Sequence, residues 1–205
     1  EGFQKQDIPF IVVLNKQGEF VGLQDTREGD GKQKQARAFL VPLAVKRANG
    51  IDANLLWDNP AYVFGCPKPD KKKDIKKLRK RAKEQHREFI NRIRTTFPEP
   101  IKDTGISALL KFLGDGDFDK VFNHPLWKEI EEIGANCSFQ LKGETQLMCE
   151  SEYVVDAIKR GLGGGKEDKH VCLISGEPDG IQRLHAAVKG VWGAQSTGAN
   201  IVSFN

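Results

Sequence analysis

The chain has 205 residues, of which 39% are hydrophobic, 8% aromatic and 29% charged. This globular mixture disfavours wholesale disorder, a collagen-like repeat and a membrane protein, and leaves enough chain for one domain or two small ones. The net charge of +4 is too mild to select a class of partner, but its distribution is uneven. Between Lys68 and Arg94 thirteen basic residues face four acids, net +9, leaving −5 for the rest. A basic block on a slightly acidic body points to a local polyanion contact or to a solvated helix face.

In chain order, Ile8 to Leu14 is a β-branched apolar run, Asn15-Lys16-Gln17-Gly18 a turn, and Glu19 to Leu23 an alternating segment. Residues 8–24 therefore read as a β-hairpin. Thr26 to Lys34 is polar and reads as a mobile loop, and Ala38 to Leu43 as a third strand, with Pro42 placing it at an edge or strand end. Periodicity then disappears to Gly65, where Asn49-Gly50 marks a turn and Trp57 stands among Asn and Asp residues. Residues 70–95 read as a long helix with Ile75, Leu78, Ala82, Phe89 and Ile93 on one face and charge on the others. Pro98 and Pro100 stop it. Thr104 or Ser107 is the expected cap of a second helix through Leu113, and Leu126 to Ile133 a third. Residues 136–149 read as another hairpin turning at Lys142-Gly143-Glu144, and Ser151 as the start of a helix to about Lys159. His170–Ile174 and Ile201–Phe204 read as strands and Ile181–Val188 as a helix. Hairpins and helices without βαβ alternation predict an α+β fold with one long basic helix.

Catalytic signals are weak. Gly161-Leu162-Gly163-Gly164-Gly165-Lys166 lacks the Ser or Thr of a phosphate loop and is followed by acids, so it reads as a linker. His170 and Cys172 share a strand face but lack further ligands at matching spacing, and Asp115, Asp117 and Asp119 do not complete a calcium loop. The four cysteines form no C-x-x-C pair and read as buried reduced thiols of a cytoplasmic protein. No enzyme, cofactor or metal is expected, and no run of apolar residues is long enough to span a membrane. The absent initiator Met suggests a chain that begins inside a longer one.

Two other features have nucleic-acid chemistry. The basic helix offers Lys72, Lys76, Arg79, Lys80 and Lys83 as candidate nucleic-acid contacts. The segment from Lys189 to Asn200 combines three Gly with Trp192, Gln195 and Ser196, which suits close approach to a phosphate backbone and base-edge contact, or an Ω-like loop anchored by its Trp.

Three segments carry a family resemblance: IPFIVVLNKQGEFVGLQDTR (8–27), FLVPLAVKRANGIDANLLWDNPAYVFG (39–65) and LISGEPDGIQRLHAAVKGVWGAQSTGANIVSFN (173–205). Together they resemble the N-terminal part of the large subunit of the type I-C CRISPR Cascade complex, while residues 66–172 match only in general character. Ala186 after His185 departs from the Pro expected there. The resemblance implies an N-terminal domain of a longer subunit, with residues 8–65 and 169–205 as a DNA-recognition core and 66–168 as a helical and hairpin insertion. It implies a non-catalytic part of an RNA-guided antiviral complex that recognises the PAM-flanking duplex and helps to open target DNA. The implied partners are double-stranded target DNA, guide RNA, other Cascade subunits and a recruited helicase-nuclease. A DNA-mimicking anti-CRISPR inhibitor is a further candidate for so basic a surface. On chemical grounds Asn49 is the expected base-edge reader, Lys46 and Arg47 the phosphate contacts, and Lys189, Gln195 and Ser196 the opposing contacts, with Gln195 as a wedge. Trp57 and Asn59 are expected to brace the loop. The alternative is a protein-docking scaffold whose complex contacts DNA elsewhere.

Overall fold

A computed structural model describes residues 2–29, 34–47, 50–70, 74–163, 169–171 and 178–180. The apolar run Phe10–Leu14 forms β2, which lies between two neighbours and is buried along almost its whole length. A strand covered on both faces reads as a continuous apolar run, which is why alternation is missing here. Its antiparallel partner is β3 (Phe20–Asp25), from Phe10 opposite Asp25 to a register shift at Val13/Leu14. The turn between them is organised by Asn15, whose Oδ1 accepts from the N–H of Gln17 (3.0 Å) and of Glu19 (2.8 Å). Gly18 takes φ 78°, and a Cβ there would lie 2.6 Å from the Ala108 carbonyl oxygen, so this turn requires glycine.

Three short strands not read from the sequence accompany this hairpin. Phe3–Asp7 (β1) pairs antiparallel with Ala38–Pro42, and Arg27–Glu28 (β4) with Gln35–Ala36 (β5), so the ends of the expected mobile loop form a short ladder. We number Ala38–Pro42 β6. Trp57–Asp58 (β7) leads into the short helix α1 (Pro60–Val63).

The long helix is α2, Ile75–Thr96, capped by Asp74 Oδ1 accepting from the Lys76 N–H at 2.8 Å. Ala82, Phe89 and Ile93 are buried on it, Leu78 is half-buried, and Ile75, at the N-terminal end of the same face, is exposed. Helix α3, Thr104–Asp115, is capped neither by Thr104 nor by Ser107. Asp103 Oδ1 accepts from the Ile106 N–H at 2.9 Å, and its other oxygen takes the Ser151 hydroxyl at 2.8 Å. Short helices α4 (Asp119–Phe122) and α5 (Trp127–Ile133) follow. Around them Phe64, Phe118, Phe122 and Trp127 meet in edge and tilted contacts.

The expected 136–149 hairpin is not formed. Cys137–Leu141 is β8, parallel to β2 and antiparallel to β7, which gives the sheet order β3-β2-β8-β7. The segment after its turn buries Leu147, Met148 and Cys149 in succession, a pattern no half-exposed strand can satisfy. It forms a single 3-10 turn, with Glu150 Oε2 accepting from the Leu147 N–H at 2.8 Å. Helix α6 spans Glu152–Gly163, with Ser151 Oγ accepting from the Val154 N–H at 3.4 Å. The outcome is a mixed α+β architecture. The chain divides into two compact units, Glu1–Gly161 and Leu162–Asn205. In the second, β9 (Lys169–Val171) pairs antiparallel with β10 (Pro178–Gly180). The readings of 181–188 and 201–204 lie outside the described residues.

Cys137 and Cys149 are buried, and burial pushes both thiols up to about 12. Cys66 is only half-buried, so the expectation of a fully buried thiol is corrected there. Cys172 is outside the described residues. Among the described residues no helix is long and apolar enough to cross a membrane, and no group of three or more His, Cys, Asp or Glu could hold a metal ion.

Candidate nucleic-acid interface

Among the described residues between Leu43 and Asn59 only Trp57–Asp58 has regular secondary structure, so their arrangement depends on side chains that take over the work of a ladder. Asn54 is buried, and its Oδ1 accepts from the Val45 N–H at 3.0 Å, closing the segment across its waist. Trp57 is buried with its indole N–H donating to the Pro42 carbonyl at 2.9 Å, which ties the return limb to the end of β6. Leu56, wholly buried, takes φ 63° in the left-handed region, and its carbonyl accepts from the Ser138 hydroxyl at 3.0 Å. A non-glycine residue persists there only because its surroundings hold it.

At the centre is Asp58, 1% exposed. Its carboxylate accepts from the N–H of Asn54 at 2.9 Å and of Asn59 at 2.8 Å, and forms an ion pair with Arg47. Burial pushes the Asp58 carboxyl upward, while the Arg47 hydrogen bond and the Asn54 and Asn59 N–H groups pull it back. Arg47 also donates from Nε to the Asp52 carbonyl at 2.5 Å and stacks its guanidinium 4.0 Å from the centre of the Tyr62 ring. Asn59 caps α1, its Oδ1 accepting from the Ala61 N–H at 3.0 Å.

Helix α2 holds the same segment from outside. Arg92 Nη1 donates to the Ala53 carbonyl at 2.6 Å, and His86 Nδ1 to the Tyr62 carbonyl at 3.0 Å. Burial lowers the His86 pKa, and because a carbonyl oxygen can only accept, Nδ1 carries the proton of this bond. Its ring lies edge-on to Phe118 at 5.6 Å.

Of the residues named from sequence, Arg47, Trp57 and Asn59 meet around Asp58 and Pro42, and Lys46 is exposed beside them. The guanidinium of Arg47 is engaged inward, by Asp58 and the Asp52 carbonyl. Lys76, Arg79, Lys80 and Lys83 are exposed on α2. Asn49, Lys72, Lys189, Gln195 and Ser196 lie outside the described residues. Sequence reasoning missed Asp58, Asn54 and Arg92 as holders of the segment. The density of Asn and Asp around Trp57 was the signal for the first two, and the place of Arg92 beside the core residue Ile93 was the signal for the third.

No curated protein matches the chain. The family model described as CRISPR-associated protein (Cas_Csd1) matches residues 1–205, its whole length. The chain with this clamped polar loop beside a basic helix belongs to the CRISPR-associated Cas_Csd1 family.

Proposed function

We propose that the chain is the N-terminal part of the large subunit of a type I-C Cascade complex, a non-catalytic element that recognises the PAM-flanking duplex and helps to open target DNA. Family membership supports the CRISPR setting, and the three resembling segments support the finer assignment. The observation that carries the DNA-reading role is the construction of residues 43–59. Asn54, Trp57, Asp58 and Arg92 fix the described residues on either side of positions 48 and 49, while Lys46 and Gly50 remain exposed. A base-edge reader needs such a fixed mount, since a single good base contact discriminates by only ~1–3 kcal/mol. Asn49 is the proposed reader, Lys46 holds phosphate beside it, and Arg47 anchors the loop through Asp58. Lys189, Gln195 and Ser196 supply opposing contacts, and guide RNA, other Cascade subunits and the helicase-nuclease are the partners of the assembled state. A DNA-mimicking inhibitor would compete for the same surface.

The test is binding of the assembled complex to PAM-containing and PAM-scrambled duplexes. Asn49→Ala is expected to erode the preference by roughly 5- to 150-fold, the range of one base contact. An Asn49→Ala complex with its preference intact removes that residue from the reading. Loop variants that impair assembly and leave DNA binding untouched favour a docking scaffold instead.

A further inference from the structure

The loop does not use the main concentration of charge. On α2, positions 76, 80, 83 and 87 follow one another at intervals of four, three and four, so they form a single row along one flank. The row is Lys76, Lys80, Lys83 and Arg87, all exposed. The adjacent row, one residue on and so about 100° round the helix, is Lys77, Arg81, Glu84 and Glu88. The second row is neutral, which is how a merely solvated helix face is built. The first carries four like charges, and among the described residues none of them joins an ion pair.

Helix stability does not explain the first row. Like charges at such spacings cost an isolated helix about 0.2–0.5 kcal/mol per pair. Lysines near the N-terminus also oppose the helix dipole, and no acid stands in the first turn. Glu84 stands within one turn of Lys80 and Arg87, yet neither forms an ion pair with it, and a row of four like charges left unpaired in this way is complementary to an external polyanion. The rise of α2 spreads these four residues over roughly 17 Å. Duplex DNA presents one negative charge per ~1.7 Å of axis, so such a row faces phosphates along its whole length. No aromatic side chain stands in the row to stack an unpaired base, and none of its residues has the paired donor and acceptor of Asn or Gln.

We infer that Lys76, Lys80, Lys83 and Arg87 form a sequence-blind track for the phosphate backbone of duplex DNA, distinct in task from the base-reading loop. The inference rests on the nucleic-acid reading proposed above and adds a division of labour. The track holds any duplex, and the loop selects among those held.

The two parts separate in one experiment on the full subunit in its assembled complex. Affinity is measured for PAM-containing and scrambled duplexes, for single-stranded DNA and for duplex RNA, across a fourfold range of salt. Lys80→Ala, Lys83→Ala and Arg87→Ala are combined in one variant, and Lys77→Ala with Arg81→Ala in a control from the neutral row. The track variant should bind both DNA duplexes more weakly with the PAM preference unchanged. Its log–log salt slope should be shallower by roughly 2.7, making the loss across that salt range about 40-fold smaller than in the unmodified complex. The control should keep the original slope. Single changes Lys83→Gln and Arg87→Gln, each lowering the slope by about 0.9, cover the case in which the combined variant does not assemble. An unchanged slope, an equal change in the control, or a loss confined to single strands or RNA overturns the track. An unmodified complex that binds both duplexes equally would instead overturn the PAM reading and leave the track standing.

Discussion

Arginines and lysines do opposite things in the loop at 43–59 and on the outer flank of α2. In the loop, Arg47 is drawn inward by a buried carboxylate, and Arg92 reaches from the helix to a backbone carbonyl. On the flank, Lys76, Lys80, Lys83 and Arg87 stand exposed without ion pairs among the described residues. The first group is fixed by partners within the chain, and the second joins no ion pair among the described residues. A count of basic residues cannot distinguish them. Burial and pairing do: Arg47 and Arg92 are engaged within the chain, whereas the flank row joins no ion pair among the described residues, and the proposed track rests on that difference.

The strongest way to break this contrast is at Asp58. Asp58→Ala removes the counter-charge of Arg47 and leaves the N–H groups of Asn54 and Asn59 without their acceptor. Breaking a buried pair from one side costs ~3–5 kcal/mol, and that loss is expected in chemical denaturation. A cost below 1 kcal/mol, the range of an exposed pair, would place Arg47 with the surface cations. Next in size is Trp57→Phe, which keeps an aromatic ring and loses the donor to the Pro42 carbonyl. An unsatisfied buried carbonyl costs about 1–3 kcal/mol, so the same denaturation series should show an intermediate loss.

How far the contrast could be read in advance depended on the range of the interactions. The hairpin over β2 and β3 follows from a β-branched run, a turn and the alternation after it, and α2 from helical periodicity, all of them signals within a few residues. β1 was hidden because Phe3–Asp7 is polar and half-exposed, with its partner β6 more than thirty residues away. The 136–149 hairpin was misread because turn residues at 142–144 look the same whether or not a strand follows. In the site, Asp58 resembles any loop-forming Asp in sequence. Its distinction is burial against Arg47, eleven positions earlier, and only the fold creates that burial. The two rows of α2 were legible in principle, since helical spacing alone separates the cationic row from the neutral one.

A smaller effect links the helix to the loop through pH. Burial holds the His86 pKa below the ordinary value of 6.5. The unfolded chain therefore takes up a proton first as pH falls, so the His86 contribution is complete above 6.5 and is lost on descent through that value. Denaturation between pH 7.5 and 5.5 should show declining stability, and His86→Gln should flatten that part of the profile. An identical slope in the variant would mean that His86 is not the group responsible.

The smallest expected effect is the most discriminating. Lys83→Ala and Arg87→Ala remove exposed side chains that touch no internal partner among the described residues, and alanine is the best helix former available. Stability should change by less than ~0.5 kcal/mol, with any shift towards greater stability because like-charge repulsion along the row is relieved. The measurement is the denaturation midpoint at low and high salt, with any gain diminishing as salt screens the repulsion. A destabilisation of ~1 kcal/mol or more would mean that these cations serve the fold, as Arg47 does. Stability that is unchanged or slightly raised, in a variant that has lost duplex affinity, would show that this row is held against the preference of its own helix.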